Sequence, residues 1–259
     1  YEQRQPVLAR FLSGQIMGIV FGQAAGGVLG DTVGWRGTML IVGGLHLLAG
    51  SLLWLDMRRT RNKTGQATRE ARWKQSAVSA ARVLQSPWVR TMLITVFLEG
   101  FGMFGAFAFV GAELHLRFGI SLAAAGLMLA VLGIGAMVYV LSAGYLVRRL
   151  QQTGLVRWGS VLIAAGYTTL AVMPQVWFAV PAIIVIGLGF YMFHNTLQTN
   201  ATQMAPEARG LAMSLFAFTL FVSQSIGVAV AAPVMDRYGA RPALGHCGSQ
   251  DPGRSRRGH

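Results

Sequence analysis

Long apolar runs alternate with short polar gaps along almost the whole chain. Seven runs, at 11–30, 37–55, 89–110, 120–147, 156–173, 176–198 and 210–235, are each long enough for a helix to cross a bilayer core of about 30 Å. The pattern predicts an all-α polytopic membrane protein with about seven transmembrane helices. The fifth run is the least regular, with Arg157 at its start and Pro174 closing its end. One polar gap is long. It covers 56–87 and holds Arg58, Arg59, Arg61, Lys63, Arg69, Arg72, Lys74 and Arg82 against only Asp56 and Glu70.

That gap orients the rest. With 56–87 in the cytoplasm, Arg4, Arg10, Arg148, Arg149, Arg157 and Arg209 fall on the same side, and Arg36, Arg117, Arg237 and Arg241 on the other. This is the positive-inside asymmetry of a multi-pass protein of a bacterial inner membrane. The first and seventh runs also share a pattern. Glu2, Arg4, Gly22, Asp31, Gly34 and Arg36 recur as Glu207, Arg209, Gly227, Asp236, Gly239 and Arg241, every pair 205 residues apart. Six crossings separate the two copies, so they point the same way, as expected of a duplicated six-helix unit.

Composition changes the picture little. The chain is 53% hydrophobic and 12% charged, about half the charge of a soluble domain. A net charge of +13 invites a nucleic-acid reading, but that needs a basic face on a soluble fold, and here the arginines sit between apolar runs. Nucleic acid is therefore excluded as a partner. The lone Cys247 excludes an intrachain disulfide and a cysteine-built metal site. There is no G-x-S-x-G elbow, no H-E-x-x-H pair and no phosphate-cradling loop, so neither an enzyme nor an ATP-driven pump is expected, and no cofactor is implied. The chain opens on Tyr1, and a start further upstream is expected. Residues 244–259 have no apolar period and are read either as a genuine tail or as an out-of-frame translation, without function.

Within the first run Gly14, Gly18, Gly22, Gly26 and Gly30 recur every fourth residue, with Gly27 beside them. On a helix this makes a groove for a neighbouring backbone, and these glycines are assigned to helix packing that shifts during function.

Several stretches carry a family resemblance. Gly18-x-x-x-Gly22-Gln23-x-x-Gly26-Gly27 resembles the antiporter motif G-x-x-x-G-P-x-x-G-G in the fifth helix of the major facilitator superfamily. Gly34-Trp35-Arg36 resembles the G-W-R that follows it, Pro206-Glu207-x-Arg209-Gly210 the opening of the eleventh helix, and Gly119-Ile120-Ser121 with Gly126 the opening of the eighth. The resemblance covers the chain to about residue 244 and makes the seven runs family helices five to eleven. It implies a partial superfamily fold: 1–55 ends the N-terminal six-helix half, 56–88 is a basic cytoplasmic linker, and 89–243 begins the C-terminal half. Two departures stand out. Gln23 replaces the antiporter proline, with Ala9 in place of the leading glycine. At Gly144–Arg149, which resembles the gating signature G-x-x-x-D-R, Arg148 takes the aspartate place beside Arg149, so the usual charge relay does not carry over.

Glu99, in the third run, is the only acid deep inside any run. A carboxylate at membrane depth is costly unless it faces a cavity, finds a partner or takes up a proton. It is read as a proton-coupling group or a counter-ion to a cationic substrate, against a permanently protonated acid bonded between helices. The resemblance places it on helix seven, which lines the central cavity. Tyr191, His194, Asn195 and Gln198 share one helical face of the sixth run, either as a substrate-facing stripe with a proton shuttle at His194 or as groups paired with neighbouring helices. Gln15 and Gln23 are further cavity candidates; His46 and the phenylalanines 97, 101, 104, 107 and 109 read as packing.

The expected function is proton-coupled efflux of a small molecule by alternating access, the full-length protein acting as a monomer in the lipid bilayer. The alternatives are an uptake symporter, a non-transporting sensor or scaffold, and an inactive gene fragment.

Overall fold

The computed structural model describes residues 4–60, 81–205 and 209–238. Most of the 56–87 segment, residues 206–208, the 244–259 segment and the side chain of Gln15 lie outside the described residues.

Helix α1 (Arg4–Thr32) runs without a charge from Arg10 to Asp31 and gives way to α2 (Gly34–Thr60) through Gly34, whose φ of +73° needs a residue without a Cβ. Helix α3 (Pro87–Glu99) starts from an extended Ser86, with Pro87 placed where no intrahelical donor is required. A π-helical turn (Gly100–Phe104) leads into α4 (Gly105–Phe118), which ends at the left-handed Gly119, its N–H donating to the His115 carbonyl. Ser121 then caps α5 (Leu122–Ala130), its Oγ accepting from the Ala124 N–H at 3.1 Å. Helix α6 (Leu132–Val172) is followed by a short 3-10 turn, α7 (Ala179–Ala201) and α8 (Arg209–Tyr238).

A straight helix of the length of α6, 41 residues, would extend about 60 Å, twice the bilayer core. It does not run straight. Gln151 has φ 57° and ψ 180° and divides α6 into two limbs. Both limbs pack on the same part of α7. A Cβ at Gly135 would meet the backbone of 184–188, and one at Gly159 the Gly189 carbonyl and the Phe193 nitrogen. Two points 24 residues apart can reach one stretch of α7 only if the chain doubles back at Gln151. This is the break expected between the fourth and fifth runs, and the exposed Arg148 and Arg149 sit beside it.

Close approach through glycine recurs. Gly105 faces Gly227 on α8, Gly126 faces Gly27 on α1, and Gly187 faces the Leu132 backbone. Lipid offers no hydrophobic drive for helices to associate, so small residues that admit backbone-to-backbone contact supply the attraction instead. Ile183, Ile186 and Leu114 fill the centre of one core cluster among α4 to α7; Val89, Val96 and Phe216 fill a second among α3, α7 and α8.

Among the described residues, five stretches are long and apolar enough to span a membrane: Gly34–Arg58, Pro87–Phe118, Leu122–Val172, Val176–Ala201 and Arg209–Met235. The third holds two of the seven expected spans, folded at Gln151. The first expected span lies in α1, where most side chains before Met17 fall outside the described residues. Helix α2 packs on α1 and keeps its apolar side chains exposed along its length, as at Leu40, Leu47 and Leu52.

Candidate functional site

Glu99 is the last residue of α3, immediately before the π-helical turn. Its Oε1 lies 3.1 Å from Nδ1 of His194 on α7. Both residues are buried, 6% and 7% exposed. The imidazole stacks on the Phe190 ring, 5.0 Å between centroids at 23°, and meets Phe216 of α8 at 5.5 Å. The pair thus sits where α3, α7 and α8 converge, in an apolar setting where every electrostatic term is strengthened. A cleft of about 420 Å³ opens beside it, lined by Thr95, Glu99, Gly102, Ser160, Tyr167 and Phe193.

Glu99 Oε2 is the one buried side-chain polar atom without a hydrogen-bond partner among the described residues. A full negative charge on this carboxylate would be held at one oxygen only. A proton on Glu99 lets its hydroxyl donate to the imidazole; a proton on His194 makes an ion pair across the same 3.1 Å. Either form keeps one proton between the two groups, and the spare oxygen leaves room for a second donor.

Glycines at the two ends of the π-turn, Gly100 in it and Gly105 just after it, lie against α8. At Gly100 a Cβ would lie 2.7 Å from the Leu220 carbonyl of α8, and at Gly105 one would lie 2.8 Å from the Gly227 carbonyl carbon. The Tyr167 hydroxyl, on the second limb of α6, donates to the Met103 carbonyl inside the turn at 2.7 Å. π-turns within α-helices recur at functional sites, and this one directly follows the acid. Tyr167→Phe is expected to lower stability by about 1 kcal/mol and to speed amide exchange at 100–104 without altering α7. Equal protection in the two proteins would contradict a role for the hydroxyl in holding the turn.

The description "Major Facilitator Superfamily" belongs to the family model that matches residues 2–228. The chain belongs to that superfamily. A curated relative, the uncharacterised MFS-type transporter YwfA of Bacillus subtilis, is 26% identical over a match of 245 positions that covers 92% of this chain and 58% of YwfA. The chain therefore spans just under three fifths of the length of that relative. No solved structure matches it. Superfamily membership and the apolar helices make this a multi-pass membrane protein.

The superfamily chain distributes the other expected residues unevenly. Only His194 of the α7 stripe reaches Glu99. Asn195 turns to the first limb of α6, its Nδ2 donating to the Tyr139 hydroxyl at 3.1 Å. Tyr191 packs edge-on against Phe190 at 5.3 Å, and Gln198 is half-buried a turn further on. Gln23 is half-buried on α1 and lines a separate cleft of about 190 Å³ with Gly22, Gly26, Gly27 and Gly126. Of the α1 glycines, Gly27 and Gly30 lie against Leu122, whereas a Cβ at Gly14, Gly18, Gly22 or Gly26 would meet nothing within 4 Å. Arg149 places its guanidinium 6.0 Å from the Tyr145 ring, on the exposed surface near Gln151. His46 bonds the carbonyl one turn back, at 2.8 Å, on exposed α2.

Sequence reasoning missed the π-turn, Tyr167 and Tyr139. The run of Gly100, Gly102 and Gly105 directly after an intramembrane acid was the available signal for the turn. Nothing near Tyr167 or Tyr139 marked either as a partner.

Proposed function

We propose that the protein is a secondary transporter that moves a small molecule by alternating access, with the Glu99–His194 pair as its proton-exchanging group. One observation carries the reading: a carboxyl and an imidazole, both buried, share a hydrogen bond beside a cleft, with the second carboxylate oxygen unpartnered. A purely structural acid would be expected to have both oxygens satisfied. An ionisable pair at membrane depth is instead expected of proton pathways. A proton arriving on the pair removes its net negative charge, and a cation or hydrogen-bond donor from the substrate can replace that proton at Oε2. Exchange of the two couples their movements.

Export is the preferred direction, on the partial antiporter motif of α1. Gln23 in place of the motif's proline supports the second reading, uptake with a proton. Proton flux separates them. The full-length transporter is reconstituted in vesicles with an internal pH-sensitive dye, and compounds are screened for the pH change they cause. Antiport predicts that substrate and proton cross in opposite directions, symport that they cross together. Substrate movement with no proton flux at all would refute proton coupling.

A further inference from the structure

A contact between distant parts of the chain lies where α1 gives way to α2, at the opposite end of α2 from Thr60. Asp31, one residue before the end of α1, reaches the start of α5. Its Oδ1 accepts from the Leu122 N–H at 3.0 Å and its Oδ2 from the Ala123 N–H at 2.7 Å. Ser121 takes the next N–H, that of Ala124. Three of the four donors that open a helix are thus satisfied, two of them by a carboxylate some 90 residues away in sequence.

We infer that Asp31 is a latch that holds the two halves of the protein together at the extracytoplasmic end and opens when that side opens. The inference rests on the alternating-access reading above. Helix α1 carries the first copy of the internal repeat, and α5 belongs to the half that ends in the second copy. The latch closes a seam between them. Next to it, at Gly126, a Cβ would lie 3.0 Å from the Gly27 Cα, so the two backbones touch. The seam cannot part while both carboxylate oxygens hold the α5 amides. A negative charge at a helix N-terminus is also favoured by the helix dipole, which makes this contact stronger than an ordinary cap. The groups facing Asp31 are few: the two amides, the Ser121 hydroxyl, and His115 at the end of α4, whose Nδ1 lies 2.6 Å from the Ile120 carbonyl. Chiefly through the Ala123 N–H, with the Leu122 N–H, Ser121 and His115 adding to it against the effect of burial, they hold the Asp31 carboxyl below the ordinary carboxylate range.

The latch carries a sign. A carboxyl with a lowered value when latched favours the closed state fully above the ordinary carboxyl range and loses that contribution as pH falls through the lowered value. Asp31→Ala removes both acceptors and is expected to shift the balance towards an open extracytoplasmic side about 3- to 30-fold, the range for loss of a good cap. Asp31→Asn keeps one acceptor and is expected to fall between.

The test uses spin labels on Val33, at the end of α1, and Leu116, at the end of α4, both on exposed positions. The full-length protein is reconstituted in lipid with Cys247 replaced by serine, and pulsed electron–electron resonance reads the distance between the labels. Wild type is expected to show a dominant short distance, and Asp31→Ala a longer population raised by the factor above. Two populations in unchanged ratio would overturn the latch and leave alternating access standing. A single distance that nothing moves would overturn both. Should Asp31→Ala fail to fold, acid titration of the wild type decides: growth of the long-distance population as Asp31 protonates supports the latch, and an unchanged ratio overturns it. Neither readout involves Glu99, so proton coupling can fail without it.

Discussion

Glu99→Gln is expected to abolish gradient-driven accumulation in the full-length transporter while leaving the protein folded. The substitution is nearly isosteric, and the amide retains an oxygen and gains donors, so the contact across 3.1 Å to His194 can persist with the imidazole tautomer adjusted. What the amide cannot do is release a proton. If the pair exchanges one proton per cycle, the variant lacks the step that links substrate to gradient, and active transport should fall by about a hundredfold or more, the scale of losing a positioned acid–base group. Energetically neutral exchange of labelled substrate across the membrane should survive, because it needs alternating access without net proton movement. The accumulation ratio measured with and without a pH gradient reads the first effect, and counterflow reads the second. Accumulation that survives in Glu99→Gln would remove the acid from the coupling mechanism and leave it a packing role between α3 and α7.

Gly187→Leu should have the largest effect on assembly. A Cβ at Gly187 would lie 3.1 Å from the Leu132 carbonyl carbon and 3.2 Å from its Cα. Both are backbone atoms, so no side chain can swing away. The opposed Gly135 meets the same stretch of α7 from the first limb of α6, which leaves the two helices no slack. Even Gly187→Ala is expected to cost about 1–3 kcal/mol by overpacking, read as a lower melting midpoint in detergent. Leucine would force α6 and α7 apart and with them Asn195 from Tyr139, so little monodisperse protein is expected on size exclusion. A leucine variant with wild-type midpoint and yield would show that this helix pair is not packed as closely as described.

How much of this could be read from the residues follows from the range of each interaction. The helices were legible because their apolar runs are local and long. The fold-back at Gln151 was legible for the same reason, since Arg148, Arg149, Gln151 and Gln152 form a polar break in an otherwise apolar stretch. Glu99 stood out because an acid among Val96, Phe97, Leu98 and Phe101 must find a partner, a cavity or a proton at that depth. Its partner was visible only as one of four polar residues on a shared face. Period alone could not say that His194 turns to Glu99 and Asn195, one residue on, to Tyr139. The π-turn was hidden because the glycines that permit it also serve packing against α8. Asp31 was seen only as one term in a repeated pattern; the amides it holds lie on another helix, beyond the reach of any local pattern.

The central claim is that Glu99 gains and loses a proton rather than holding one permanently. Infrared difference spectroscopy of the reconstituted full-length protein tests this most directly, by following the carbonyl stretch of a protonated carboxylic acid as pH is varied. The account predicts a carboxylic-acid band that gains and loses intensity with pH, is absent from Glu99→Gln, and changes its pH dependence when His194 is replaced by glutamine. A band assigned to Glu99 that keeps the same intensity at every pH would mean a permanently protonated acid and would contradict the account.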